Sequence, residues 1–395
     1  MQRLPNDWKV APLGSLLADP RELTYGVVQP GNDFPNGIPI LRVKDIRNGQ
    51  ISRSDLMRID PAVEKTYERS RLRGGELLVT LVGTVGEVAV APSEVAGWNV
   101  ARAIGVARFP DANLATWVSY CIRSPEGQHR IGARVNTTVQ TTLNLKDLRE
   151  FPVVLPPQEQ REAIAQILGA LDHKIESNRR IADSLQNLMR AELARLTQES
   201  KCQTVAISEL VHGRSEKDKS PLPDDPYVGM EHMPQFDLCL WNWGMASQSK
   251  TAARVFRPGD VLFGKIRPYF GKVATVGFSG VCSQSIEVLE PRRPEFSTLA
   301  ALLLSSHEVI DFAESVSTGT TMPQVHWKSV DEYRVSIPSN DDLILFEARF
   351  RSAADLLRQL PFESLRLARL RDTLLPELLS GRLCPSEAVD FRENS

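Results

Sequence analysis

The sequence predicts an α+β chain of two tandem, similar globular domains, each followed by a long helix, the two helices packing as an antiparallel coiled coil. Three observations lead there. The chain is written twice, a long heptad-patterned segment follows each copy, and each copy breaks into short apolar stretches separated by glycine and proline turns. The expected boundaries are 1–155 for the first domain and 156–199 for a central spacer helix. The second domain takes 200–338, a C-terminal spacer helix 339–383, and a tail 384–395.

The repeat is legible in LRGGELLVTLVGTVGEVAV (Leu72 to Val90) set beside FRPGDVLFGKIRPYFGKVAT (Phe256 to Thr275). Both read as a basic residue, a turn ending in glycine, an acid, an apolar strand, a polar loop, then Gly-charged-Val-Ala. Gly75-Glu76 lies 184 residues before Gly259-Asp260, and Gly86 lies 185 before Gly271. VNTTVQTTLNLKDLREFPVVLPP (from Val135) pairs with STGTTMPQVHWKSVDEYRVSIPS (from Ser317) at an offset of 182, matching Thr137-Thr138 to Gly319-Thr320. So small a drift describes a tandem duplication with loop edits.

The repeat disposes of one tempting motif. G-D-V-L-F-G-K, Gly259 to Lys265, has the glycine and lysine spacing of a phosphate-binding loop, but Ile266 stands where Ser or Thr would hold Mg²⁺. A helix must begin at that lysine, whereas Pro268 three residues on opposes one. The first copy has no lysine there at all. These glycines belong to a hairpin.

In the first helical segment Pro156-Pro157 bar helix before it, and Glu159 and Glu162 suit a positive N-terminal end. Ile164, Leu171, Asn178, Leu185 and Glu192 recur every seven residues, with Leu168, Ile175, Ala182, Met189 and Leu196 interleaved. That is a heptad seam carrying one polar residue, Asn178, of the kind that fixes register. About 40 residues at ~1.5 Å each make a rod of roughly 60 Å. In the second segment Phe346, Phe350, Ala353, Leu357 and Leu360 step 4-3-4-3, and Leu367, Leu370, Leu374 and Leu378 continue the stripe. Pro361 should kink it and Gly381 should stop it. With a whole domain between them, the two seams are expected to bury on each other antiparallel.

Composition excludes several classes. With 42% hydrophobic residues and a net charge of −2, the chain is neither disordered nor a basic nucleic-acid domain. Residues 1–155 carry 19 Lys+Arg against 16 Asp+Glu, and 200–338 carry 14 against 16, so any polyanion surface must be a local patch. Five scattered cysteines without a C-x-x-C point to reduced thiols. Six histidines without H-x-x-x-H spacing leave no expected metal site, and no cofactor motif is present. MQRLPNDWKV has no apolar signal region and no run approaches membrane-spanning length, so a cytoplasmic protein without membrane contact is expected.

A repeated module followed by a long helix, with PPQEQREAIAQILGALDHKIESNRRI at the first junction and LRDTLLPELLSGRL at the end, closely resembles the specificity subunits of type I restriction-modification systems. IPILRVKDIRNGQI (Ile38 to Ile51) and YVGMEHMP (Tyr227 to Pro234) fit the same pattern. The second junction departs from it, reading SNDDLILFEARF without Q-E-Q, so that helix should begin differently. The resemblance implies that each module is a target-recognition domain reading one half of a bipartite double-stranded DNA sequence. It implies that the helices set the separation and hold two modification (N6-adenine methyltransferase) subunits, with restriction/translocase subunits joining the assembly. It also implies a non-catalytic chain. The only methyltransferase-like tetrapeptide, D-D-P-Y from Asp224 to Tyr227, lacks the second proline of the loop that grips a flipped adenine. The alternative is a coiled-coil protein–protein adaptor with duplicated binding domains.

Base readout draws on Arg, Lys, Asn and Gln, and phosphate contact on Arg, Lys, Ser and Thr. The DNA-binding candidates in the first module are therefore Arg42, Lys44, Arg47, Lys65, Arg69, Arg71, Arg73 and Thr84. In the second they are His232, Lys265, Arg267, Tyr269, Gln284 and the polar turn around Thr320. Lys265, Arg267 and Tyr269 alternate, which on a strand would put them on one face. Arg123, Arg130 and Arg134 on an expected helix are further phosphate candidates.

Overall fold

The computed structural model describes residues 4–53, 56–134, 141–199, 201–218, 220–248 and 253–385. The chain divides into two compact units, Met1–His173 with Ala368–Ser395, and Lys174–Leu367. The division runs through both long helices, so each unit holds one module and a stretch of each helix.

In the first unit the opening strand Lys9–Pro12 pairs antiparallel with Pro152–Leu155, Val10 opposite Val154, so the module closes on itself just before the first long helix begins at Gln158. A four-stranded antiparallel sheet orders Leu23–Tyr25, Ile104–Ala107, Leu77–Thr80 and Val88–Val90. Leu77–Thr80 is buried at every position, which is why LLVT lacks the alternation of a half-exposed strand. A second sheet joins Met57–Ile59, Ile38–Leu41 and Asn99–Val100, the last two parallel. Helix Ala112–Arg123 seats Trp117 in the core, and the Trp117 indole donates to Val154 O at 2.7 Å. Ile164, Leu168 and Leu171 of the first long helix are buried, as are Leu374 and Leu378 of the second. The Q-E-Q motif gains a physical reason, since Gln160 Oε1 accepts from the Trp8 indole at 3.0 Å. The second helix ends at Ser380, and Gly381 follows at φ 73° as the expected stop.

The second unit repeats the plan. Cys202–Ala206 pairs with Arg334–Pro338, Val205 opposite Val335, and the sheet orders Val211–Gly213, Ile286–Pro291, Val261–Gly264 and Val273–Thr275. A mixed five-stranded sheet includes the parallel pair Pro226–Val228 and Gly280–Cys282. The second long helix, Asn340–Ser380, starts on a serine cap instead of Q-E-Q: Ser339 Oγ accepts from Asp342 N–H, and Ser339 O from Leu343 N–H at 3.0 Å. Pro361 does not interrupt it.

Within this unit the helices run antiparallel. Arg349 meets Glu192 at 2.7 Å, and Asn178 Nδ2 donates to Glu363 Oε2 at 2.8 Å and to Ser364 Oγ at 3.2 Å. Ile175, Asn178, Met189, Phe346, Phe350, Leu357 and Leu360 are buried, as the heptads require. Leu185 packs against this core from a half-buried position, and Leu367 is half-buried. An unsupercoiled helix drifts about 20° per heptad from a strict seven-residue repeat. Gln186, 2% exposed, takes the inward place beside Leu185, held by Asp237 Oδ1 at 2.8 Å and by the Leu238 N–H it accepts at 2.8 Å.

Candidate nucleic-acid interface

The repeated Gly-acid pair is structural. Gly75 and Gly259 adopt φ of 89° and 91°, where glycine alone is unstrained. The following carboxylates are buried and close the turn: Glu76 Oε1 accepts from Arg73 N–H at 2.6 Å, and Asp260 Oδ2 from Arg257 N–H at 2.8 Å. Each is neutralised by a mostly buried arginine, Arg108 at 3.3 Å and Arg214 at 2.9 Å. The two arginines stand on neighbouring strands, because strand register puts Arg108 and Glu22 in the places of Glu290 and His212. One pair is Arg108–Glu22 at 2.8 Å, the other Glu290–His212 at 3.2 Å, the basic and acidic partners having changed places.

From this shared turn each module builds the same loop cluster. Leu81 N–H bonds Ala103 O at 2.7 Å and Lys265 N–H bonds Ser285 O at 2.9 Å. Gly83 N–H bonds Thr141 O at 3.0 Å and Arg267 N–H bonds Pro323 O at 2.7 Å. The bridges Val82–Thr142 and Ile266–Gln324 sit between. These backbone bonds recur in both modules while the side chains they carry differ.

In the first module the structure brings together Lys44, Arg47 and Thr84, which with Gly83 and Ala103 line a shallow cleft of about 430 Å³. All three are exposed. Arg42 lies against the buried Asp45 at 3.6 Å, at the edge of the same loop. The repeat register also exposes a residue missing from the candidates: Arg102 stands where the second module has Gln284, and both are exposed. The 182-residue offset would have found it. Arg69, Arg71 and Arg73 fall elsewhere. Arg71 is held bidentate by Glu64 at 2.7 and 2.6 Å, and this pair keeps the Glu64 carboxyl below its usual range. Arg69 donates to Arg21 O at 2.8 Å, and Arg73 is exposed beside the Gly74-Gly75 turn. Arg123 is committed to Asp172 at 2.7 Å and Arg130 to Glu126 at 2.7 Å. Thr137 and Thr138 lie outside the described residues, as does the tail beyond Pro385.

In the second module the single-face reading of Lys265, Arg267 and Tyr269 is overturned. The strand ends at Gly264, Arg267 is left-handed, and Pro268–Phe270 is a 3-10 turn. Lys265 is 12% exposed and paired to Glu287 at 3.1 Å. It stands where the first module has the fully buried Leu81, and Glu287 stands where that module has Gly105, over which Leu81 packs. An ion pair has replaced a core contact, and this lysine is committed to Glu287 at the edge of a cleft shared with Arg254 and Arg292. Arg267, Tyr269, Gln284 and Thr320 are exposed around the same loops.

His232 is an internal acceptor: its Nδ1 takes the Gly229 N–H at 2.9 Å. Burial, against a weaker pull from Glu231, pushes its pKa below the ordinary value. The unfolded chain therefore binds a proton first as pH falls, so this contribution to stability is complete above about 6.5 and is lost on acidification below it. His232→Asn, keeping an acceptor that does not titrate, should flatten the fall in urea midpoint between pH 7.5 and 5.5. An unchanged slope would reject this role.

Among the described residues no cluster of His, Cys, Asp and Glu is arranged to hold a metal ion, and no helix is long and apolar enough to cross a membrane. The family of the type I restriction modification DNA specificity domain matches residues 5–187 and again 200–343. The EcoBI type I restriction enzyme specificity subunit of Escherichia coli is 32% identical over 196 residues, 49% of this chain and 39% of that protein. The EcoDI specificity subunit of Escherichia coli is 24% identical over 177 residues, 42% of this chain and 38% of that protein. The matched stretches thus span about two fifths of these relatives. In fold, the S subunit of a type I restriction-modification system from M. genitalium matches over 95% of this chain and 97% of that one, at a TM-score of 0.53 and 18% identity. With two copies of the domain covering most of its length, the chain belongs to the type I restriction-modification DNA specificity family.

Proposed function

We propose that this chain is the DNA-reading subunit of a type I restriction-modification complex. Each module reads one half of a split duplex target. The paired helices set the gap and carry two N6-adenine methyltransferase subunits, and restriction/translocase subunits join the same assembly. The chain itself contributes recognition and scaffolding, and acts without a cofactor in the cytoplasm. The observation that carries this reading is the loop cluster built twice on one hydrogen-bond scaffold and furnished with different side chains. Two half-sites about one helical turn apart present their edges to the same side of the duplex, which suits two similar readers on a spacer.

The test is co-expression with an N6-adenine methyltransferase subunit, followed by single-molecule mapping of N6-methyladenine. A split motif with a constant gap is expected. Exchanging residues 1–150 for another such module should then rewrite one half of the motif and leave the other half intact. Methylation without sequence preference, or change in both halves, would reject the reader.

A further inference from the structure

Four non-glycine residues among those described have positive φ: Asn36, Asn48, Phe236 and Arg267. Asparagine tolerates that region through local hydrogen bonding. Phe236 is compensated by packing, its ring 4.9 Å from His307 and lying over Gly271, where a Cβ would meet it at 2.5 Å. Arg267, at φ 50° and ψ 64°, has no such compensation. Its side chain is exposed and makes no hydrogen bond or ion pair among the described residues.

The backbone explains the conformation but not the residue. Arg267 N–H is tied to Pro323 O at 2.7 Å and its carbonyl accepts from Phe270 N–H at 3.0 Å, so the turn imposes the left-handed region. The first module passes the equivalent position with Gly83 at φ 80°, free of strain, its N–H likewise tied to the facing segment, at Thr141 O. An arginine standing where the other module has an unstrained glycine points to a use for its guanidinium. A phosphate can be met by a cation on any flexible stem. A fixed Cα–Cβ direction, with Pro268 locking the next residue, serves a contact whose geometry matters, and the planar fork matches the paired acceptors on a guanine edge.

Resting on the proposed reading, we infer that Arg267 is a specificity-determining residue of the second module, placed to read a guanine in its half of the target. The experiment compares the full chain with Arg267→Gly and Arg267→Lys, each assembled with the methyltransferase subunit and selected against a random duplex library. The expected result is an intact first half and gap, with about 10–100-fold preference lost at one guanine of the second half. The melting temperature of Arg267→Gly should be at or above the parent's, which separates lost recognition from lost fold. An unchanged second half overturns the inference, as does weaker binding to every sequence alike with a shallower salt dependence, the mark of a phosphate contact. A parent complex with no motif at all overturns the reader reading itself.

Discussion

Asp172→Ala is expected to cost the first unit about 3–5 kcal/mol of stability, the usual penalty for removing one member of a buried charge cluster. Asp172 Oδ2 accepts from Arg123 Nη1 at 2.7 Å and from the Tyr120 hydroxyl at 2.9 Å, and Oδ1 accepts from Arg371 Nη1 at 2.7 Å. The three charged side chains are only 11–13% exposed, so water cannot replace the lost carboxylate. Burial alone would push the Asp172 carboxyl upward, but the two arginines outweigh it and hold it below the ordinary value. Its contribution is therefore present at neutral pH and is lost only as pH falls through that lowered value. The cluster joins helix Ala112–Arg123 of the module to both long helices, and its loss should loosen that attachment first. Urea unfolding of Asp172→Ala beside Glu126→Gln, which alters an exposed pair, checks this. A difference under about 1 kcal/mol would show the cluster to be superfluous.

What could be read from the sequence follows from what repeats. The duplication, both helices, the Gly381 stop and the polar Asn178 are encoded in local pattern, where spacing alone dictates geometry. Candidate site residues were harder, because a basic residue in a loop reads the same whether it faces solvent or a carboxylate far along the chain. Arg71 and Arg123 are committed to Glu64 and Asp172, the second 49 residues away. Lys265 misled because its partner, Glu287, lies on a strand that only the folded sheet brings alongside. Arg102 was hidden for the opposite reason, its loop carrying no motif and being identified only by its place opposite Gln284 in the repeat.

Binding of duplex DNA by the complex is expected to weaken by about 10²-fold between 50 and 200 mM salt if as few as four phosphates are met, and by 10³–10⁵-fold for six to ten. The chain is slightly acidic, so this dependence cannot come from a diffuse positive field. It would have to arise from local contacts, for which the exposed Arg47 and Arg102 on the loops of the first module are the candidates to test. Arg47→Ala or Arg102→Ala should each lower the slope of log K against log salt by about 0.9 if that residue touches phosphate, with the second half of the target untouched. A residue that reads a base instead should change which sequence is preferred. The adaptor alternative predicts something different in kind, since an interface between protein surfaces buries apolar area that salt scarcely affects. A flat salt profile for the isolated chain and the complex alike would favour that alternative, because nearly all sequence-independent affinity for DNA comes from counterion release.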